Sequence, residues 1–171
     1  MSEHANQNGS SKNGPAVVVG VDGSAGAREA LRWALAEARL RKAPLRVLHA
    51  WVDLHALVPA RVGYPYVRRG SFEPHTADDA TAGRQAAETV LERAIVELGE
   101  LGDVEVERVI MEGSAAQVLI DAASEHDLLV VGSRGHGGFA DLLLGSVSQQ
   151  CAQHAGCPVV IVRAPGAVKE Q

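Results

Sequence analysis

Leu128-Leu129-Val130-Val131-Gly132-Ser133-Arg134-Gly135, followed after nine further residues by Gly145-Ser146, decides how this chain is read. A short apolar run without polar alternation is a strand buried on both faces, the kind found in parallel sheets. Its abrupt end in glycines predicts a loop whose backbone can approach a ligand closely, because glycine carries no Cβ. Gly145 and Ser146 stand where the next helical pattern opens. They predict unencumbered N–H groups and a hydroxyl at a helix start, where the macrodipole favours an anion such as phosphate. The same residues also admit a plain packing reading, in which Gly132 and Gly135 make a tight turn and Gly145 lets a helix approach its neighbour.

Outward from this stretch, short apolar runs alternate with helical patterns. Ala16-Val17-Val18-Val19-Gly20-Val21-Asp22 reads as a first buried strand. Asp22-Gly23-Ser24 breaks it and offers cap chemistry to a helix from about Ala25 to Arg41, where Ala27, Ala30, Leu31, Ala34, Leu35 and Ala38 recur at helical spacing. Leu45 to Trp51 is the second strand. Between residues 52 and 78, Pro59, Gly63, Pro65, Gly70 and Pro74 predict a long loop or lid, with a short helix around Leu54 to Val58. Helical spacing resumes from Ala80 to Leu101, and Val104 to Met111 alternates as a strand near a sheet edge does. Ser114-Ala115-Ala116-Gln117 has the form of a capping box, opening a helix to about Glu125. A helix from about Leu144 to His154 and a last strand, Pro158 to Val162, close the pattern. The order predicts an α/β fold, a doubly wound five-stranded parallel sheet with its ligand past the carboxyl ends of the strands. Asp22 can approach Gly132 only if the first and fourth strands are neighbours.

Composition sets the outer bounds. The chain has 171 residues, 46% of them hydrophobic and only 4% aromatic, enough for one domain with some excess at the ends. Residues 1–14 are polar and glycine-bearing and read as a disordered leader, 15–164 as the domain, and 165–171 as a tail. A net charge of −5 and the lack of a basic stripe argue against nucleic acid as partner. No run is long enough to span a bilayer and no signal-peptide order is present, so a cytoplasmic location is expected. Cys151 and Cys157 lack metal-type spacing and read as ordinary thiols of a reducing compartment.

The spacing of Gly132, Gly135, Gly145 and Ser146 resembles the G-x-x-G-x9-G-[S/T] nucleotide-binding signature of the universal stress protein family, and the resemblance extends over about Pro15 to Arg163. It implies a Rossmann-like sheet of strand order 3-2-1-4-5 and an adenine-nucleotide site, with ATP the expected ligand and Mg2+ its expected companion. It further implies a homodimer paired through the last strand, Val159 to Val162. Gly132, Gly135, Gly145 and Ser146 match the family's phosphate- and ribose-binding positions, with Val147 and Ser148 beside them. Asp22 matches an acidic residue near the ribose. Val21, Ala50, Gly113 and Val131 match the rim of the adenine pocket.

On the residues alone, several roles stay open. Asp22 is a ligand contact or a helix cap, and Ser146 a phosphate donor or a cap. Arg134 either neutralises a phosphate or is an ordinary surface arginine. His136 reads as an exposed loop histidine, since nothing in the sequence orients it, and His49 as a satisfied, partly buried one. Gly137 and Gly138 predict a mobile loop after Gly135. A P-loop, a dinucleotide G-x-G-x-x-G after the first strand and a G-x-S-x-G nucleophile elbow are all missing. Phosphoryl transfer needs a positioned nucleophile and cations on the γ-phosphate, and no base is evident. The expectation is therefore a regulatory ATP-binding module with at most slow hydrolysis. A true ATPase or nucleotidyl-transfer enzyme, and a nucleotide-free scaffold, are the alternatives.

Overall fold

The computed structural model describes residues 14–52, 77–136 and 143–164. The expected leader through residue 13, residues 53–76 of the expected loop with its short helix, Gly137 and Gly138, and the tail after Ala164 lie outside them, while residues 77–78, expected in the loop, open a helix. Five parallel strands, β1 (Val17–Gly20), β2 (Leu45–Trp51), β3 (Val106–Glu112), β4 (Leu128–Gly132) and β5 (Val159–Val162), form one sheet in the order β3-β2-β1-β4-β5. Among the described residues four helices connect them: α1 (Ala25–Arg41), α2 (Ala77–Val96), α3 (Ala115–Ala122) and α4 (Ser146–His154).

Side-chain alternation along the strands divides the interior into two cores. Val17 and Val19 of β1 and Leu128 and Val130 of β4 face α1 and α2; Val18, Leu129 and Val131 face α3 and α4. Burial on both faces is why β1 and β4 read as unbroken apolar runs. Helix α1 turns Ala27, Ala30, Ala34 and Ala38 to the sheet with Leu31 and Leu35 between them. Small side chains bring its axis close, and close approach matters at its N-terminus.

Chain order leaves β1 first towards β2 and β3, then returns to its other side for β4 and β5. A crevice opens where the connections diverge, past the carboxyl ends of β1 and β4. The opposite end of these strands is pinned by Asp127, which is buried. Its carboxylate accepts from Ala16 N at 2.7 Å and Ser124 N at 2.9 Å, with the Arg46 guanidinium 3.8 Å away.

Two local expectations are corrected. Helix α2 ends at Val96 rather than near Leu101, because the chain tightens into i→i+3 bonds (Leu98 N to Ile95 O, 3.1 Å) and Gly99 takes a left-handed φ of +75°. Ser114 is the N-cap of α3, yet its side chain makes no capping bond, and Gln117 donates instead to Asp121 Oδ1 at 2.8 Å. The capping box therefore does not form.

Candidate functional site

At the carboxyl ends of β1 and β4, the first turn of α1 is pressed against the glycine loop. A Cβ on Gly132 would lie 2.7 Å from the carbonyl carbon of Gly26 and 3.1 Å from Ala27 N. A Cβ on Gly26 would strike the carbonyl oxygen of Arg134. Gly132 and Gly26 are thus a pair of packing glycines that let β4 run under the start of α1. Ser24 caps that helix, its hydroxyl accepting from Ala27 N at 3.1 Å.

The loop after β4 is tied shut at its base. Gly145 N donates to Ser133 O at 2.7 Å, and the Ser148 hydroxyl lies 3.0 Å from Ser133 O and 2.9 Å from Gly145 O. Ser133 N in turn donates to Val162 O of β5 at 2.7 Å. This corrects the expectation of an unencumbered Gly145 N–H: that donor is spent inside the loop. Ser148 is only 1% exposed, and its hydroxyl hydrogen serves these carbonyls. The donors left at the head of α4 are the backbone N–H groups of its first turn, which no side chain caps.

Gly145 itself has no packing reason to be glycine. Its φ of −78° and ψ of 167° suit any residue. A Cβ there would meet nothing nearer than 3.5 Å, at Arg134 Cα and Ser133 O. The position lines the crevice, and no contact within the protein calls for the absence of a side chain.

Asp22 bridges the two loops. Its Oδ1 accepts from Ser24 N at 2.9 Å and its Oδ2 from His136 N at 3.3 Å, while Gly135 sits so close that a Cβ would strike Oδ2. Asp22 therefore lies in the crevice and braces the turn before α1, but it is not the helix cap, a role that Ser24 takes. His136 is exposed, with its ring over Gly23; it meets Asp22 through its backbone, so the carboxylate does not orient the imidazole.

These elements enclose a cleft of about 550 Å³. Val21, Asp22, Ala50, Val131, Gly132, Arg134, Gly135, Gly145, Ser146, Val147 and Ser148 all line it, which brings together every residue singled out from the sequence except Gly113. Gly113 lies beyond the rim, its N–H bonded to Trp51 O at 2.8 Å and its φ at +142°. Its place along the wall is taken by Ala115 and Leu119, with Gly20, Leu48, Ser24, Ala27 and His136 completing the lining. Ala115 stands only within the capping-box pattern and Leu119 in no motif; the packing of α3 over β1 and β2 brings both to the cleft. One wall is apolar (Leu48, Ala50, Leu119, Val131), and the other carries Asp22, Arg134 and the head of α4. That division suits a ligand with a flat apolar part and an anionic part.

The cysteines play no part in the cleft. Both are free thiols, and Cys151 is fully buried in the second core; burial pushes its thiol up to about 11 and raises Cys157 as well. Among the described residues no cluster of three or more metal-ligating side chains occurs, and no helix is long and apolar enough to cross a membrane.

Comparison with known proteins gives a consistent picture. The model of the universal stress protein family matches residues 15–163. The universal stress protein Rv2623 of Mycobacterium tuberculosis is 34% identical over 148 residues, covering 86% of this chain and 44% of that one. The chain thus spans less than half the length of that relative. Among solved structures, a universal stress protein in complex with cAMP superimposes with a TM-score of 0.61 at 25% identity, over 89% of this chain and 98% of the other. One from Archaeoglobus fulgidus in complex with dAMP gives a TM-score of 0.53 at 22% identity, over 86% and 97%, and shares the fold.

Proposed function

Since the chain belongs to the universal stress protein family, we propose that its cleft binds an adenine nucleotide, ATP with Mg2+ foremost, and that it works as a nucleotide-dependent regulatory dimer. The observation that carries this reading is Gly145, a motif glycine whose missing side chain nothing in the packing demands, at the uncapped head of α4. Phosphates would lie there against backbone N–H groups and the positive end of the helix dipole. The base would lie on Ala50, Leu119 and Val131, and Asp22 would meet the ribose. The related structure with cAMP supports an adenine nucleotide as the ligand class.

Mg2+ fits as an ion carried by the phosphates. Asp22 is the one carboxylate lining the cleft among the described residues, and both its oxygens keep lone pairs beyond the N–H groups they accept. Such an ion is usually held by one or two carboxylates together with phosphate oxygens. When bound it would offset charge that Arg134 alone cannot. On this reading hydrolysis is at most slow, since the sequence sets no evident general base beside the glycine motif.

The dimer reading rests on β5. It lies at the sheet edge, its four residues are all part-exposed and apolar, and its ladder is satisfied only on the β4 side among the described residues. Such an edge is normally paired or covered. The experiment is to denature the purified protein, identify released nucleotide by mass with its stoichiometry, and titrate the stripped protein with ATP and Mg2+ or with cAMP. Near-stoichiometric ATP, or tight ATP binding to a dimer in solution, is expected. Preference for cAMP would move the reading to a cyclic-nucleotide receptor, ADP with fast turnover would make the protein an enzyme, and no binding would leave a scaffold.

A further inference from the structure

We propose that His49 is a positioning residue of the cleft, whose Nδ1–H on the Val21 carbonyl fixes the peptide that carries Asp22. The proposal rests on the nucleotide reading above and deepens it. Strand β1 ends at Gly20, and one more backbone bond, Val21 N to Leu48 O at 2.9 Å, carries the ladder past it. The Val21 carbonyl is then met by the ring of His49, with Nδ1 at 2.7 Å. A carbonyl only accepts, so Nδ1 carries the proton and the neutral ring is the Nδ1–H tautomer.

Alternation along β2 places His49 away from the ligand. Leu48 and Ala50 line the cleft; Val47 on the opposite face belongs to the core beneath α1 and α2, and His49 shares that face. The imidazole therefore acts through the main chain. The Val21–Asp22 peptide is planar, so holding its carbonyl towards β2 turns the Asp22 N–H the opposite way. From that peptide Asp22 reaches both Ser24 N and His136 N, the two bonds that join the α1 loop to the glycine loop. Without the imidazole the carbonyl loses its side-chain donor, and the last fixed peptide before Asp22 becomes free to tilt.

Two side chains separate this role from simple packing. The Nδ2 of asparagine superimposes on histidine Nδ1, whereas the Nε2 of glutamine reaches the place of histidine Nε2. His49→Asn should therefore keep the anchor, while His49→Gln and His49→Leu lose it. The expected result is ATP affinity within about threefold of the parent for His49→Asn and about tenfold weaker for the other two. Equal affinity in all three variants, or equal loss in all three, overturns the proposal; the second would mark His49 as mere packing. The ring tautomer, read by nitrogen NMR on the ligand-free parent, should be Nδ1–H, and an Nε2–H ring would also overturn it. Because that measurement needs no nucleotide, a parent that binds none would sink the binding reading, and the tautomer would still decide whether His49 anchors the Val21 carbonyl.

Discussion

Substituting alanine at Gly145 tests the cleft with little disturbance to the fold. The backbone there (φ −78°, ψ 167°) is open to alanine, and the added methyl would find Arg134 Cα and Ser133 O at 3.5 Å and Gly135 N at 3.9 Å, ordinary van der Waals distances. The bonds that close the loop, Gly145 N to Ser133 O and Ser148 Oγ to Gly145 O, involve main-chain atoms of residue 145 and survive. Alanine is a poorer N-cap than glycine, but it lowers the entropy of the unfolded chain by about 0.4–1 kcal/mol. Net stability should change by less than about 1 kcal/mol. Binding is another matter, because a methyl at the head of α4 holds an anion off the first-turn N–H groups. Losing one or two charge-assisted hydrogen bonds costs about 1.5–4 kcal/mol, or roughly 10- to 1000-fold in Kd. Calorimetric titration with ATP and Mg2+, beside a thermal melt of the free protein, reads both quantities. An unchanged melt with unchanged affinity would refute the assignment of Gly145 to the ligand, and with it the central argument for the cleft.

The other predictions probe neighbouring parts of the same structure. Gly132→Ala should destabilise by about 1–3 kcal/mol, since its Cβ would meet Gly26 backbone at 2.7 and 2.9 Å; a melt equal to the parent's would show that the α1 crossing yields easily. Asp127→Ala strips the acceptor from Ala16 N and Ser124 N and removes one carboxylate near Arg46, which keeps Glu107 at 2.8 Å, costing about 2–4 kcal/mol, or on the order of 10 °C in Tm. Its ATP affinity in the folded state should not change, because Asp127 lies at the far end of β4; a large change would mean that the strand transmits the strain. Alkali should weaken the fold through Cys151. Its thiol, near 9.0 when unfolded, is pushed to about 11 in the fold, so this contribution is intact below pH 9 and is lost as pH rises towards 11. Denaturant melts across that window should lose about 2 kcal/mol more in the parent than in Cys151→Ala. Equal slopes would show that Cys151 does not set the alkaline limit.

Periodicity and punctuation made the element order legible. The runs at Val17 to Val19 and Leu128 to Val131, the alanine stripe of α1 and the glycines after β4 are local patterns, and each was placed to within a few residues. Strand order came from the family resemblance rather than from these patterns, because β1–β4 pairing joins residues more than a hundred positions apart and has no local signature. Helix α2 ended early for a local reason, the left-handed Gly99, which a count of apolar spacing passes over.

The sequence by itself determined that a strand ends in glycines, that a helix begins at a glycine and a serine, and that an aspartate stands in the turn after the first strand. Only the tertiary structure decided what each does. Gly132 is glycine because Gly26 lies against it, no packing contact demands glycine at 145, and the Gly145 N–H and Ser148 hydroxyl are spent within the protein. The contact of His49 with the Val21 carbonyl exists only because the chain just past β1 runs beside β2. Backbone periodicity follows from local sterics and burial, which neighbouring residues encode. A hydrogen bond or a van der Waals limit depends on which distant atom arrives, and that is known only once the sheet has formed.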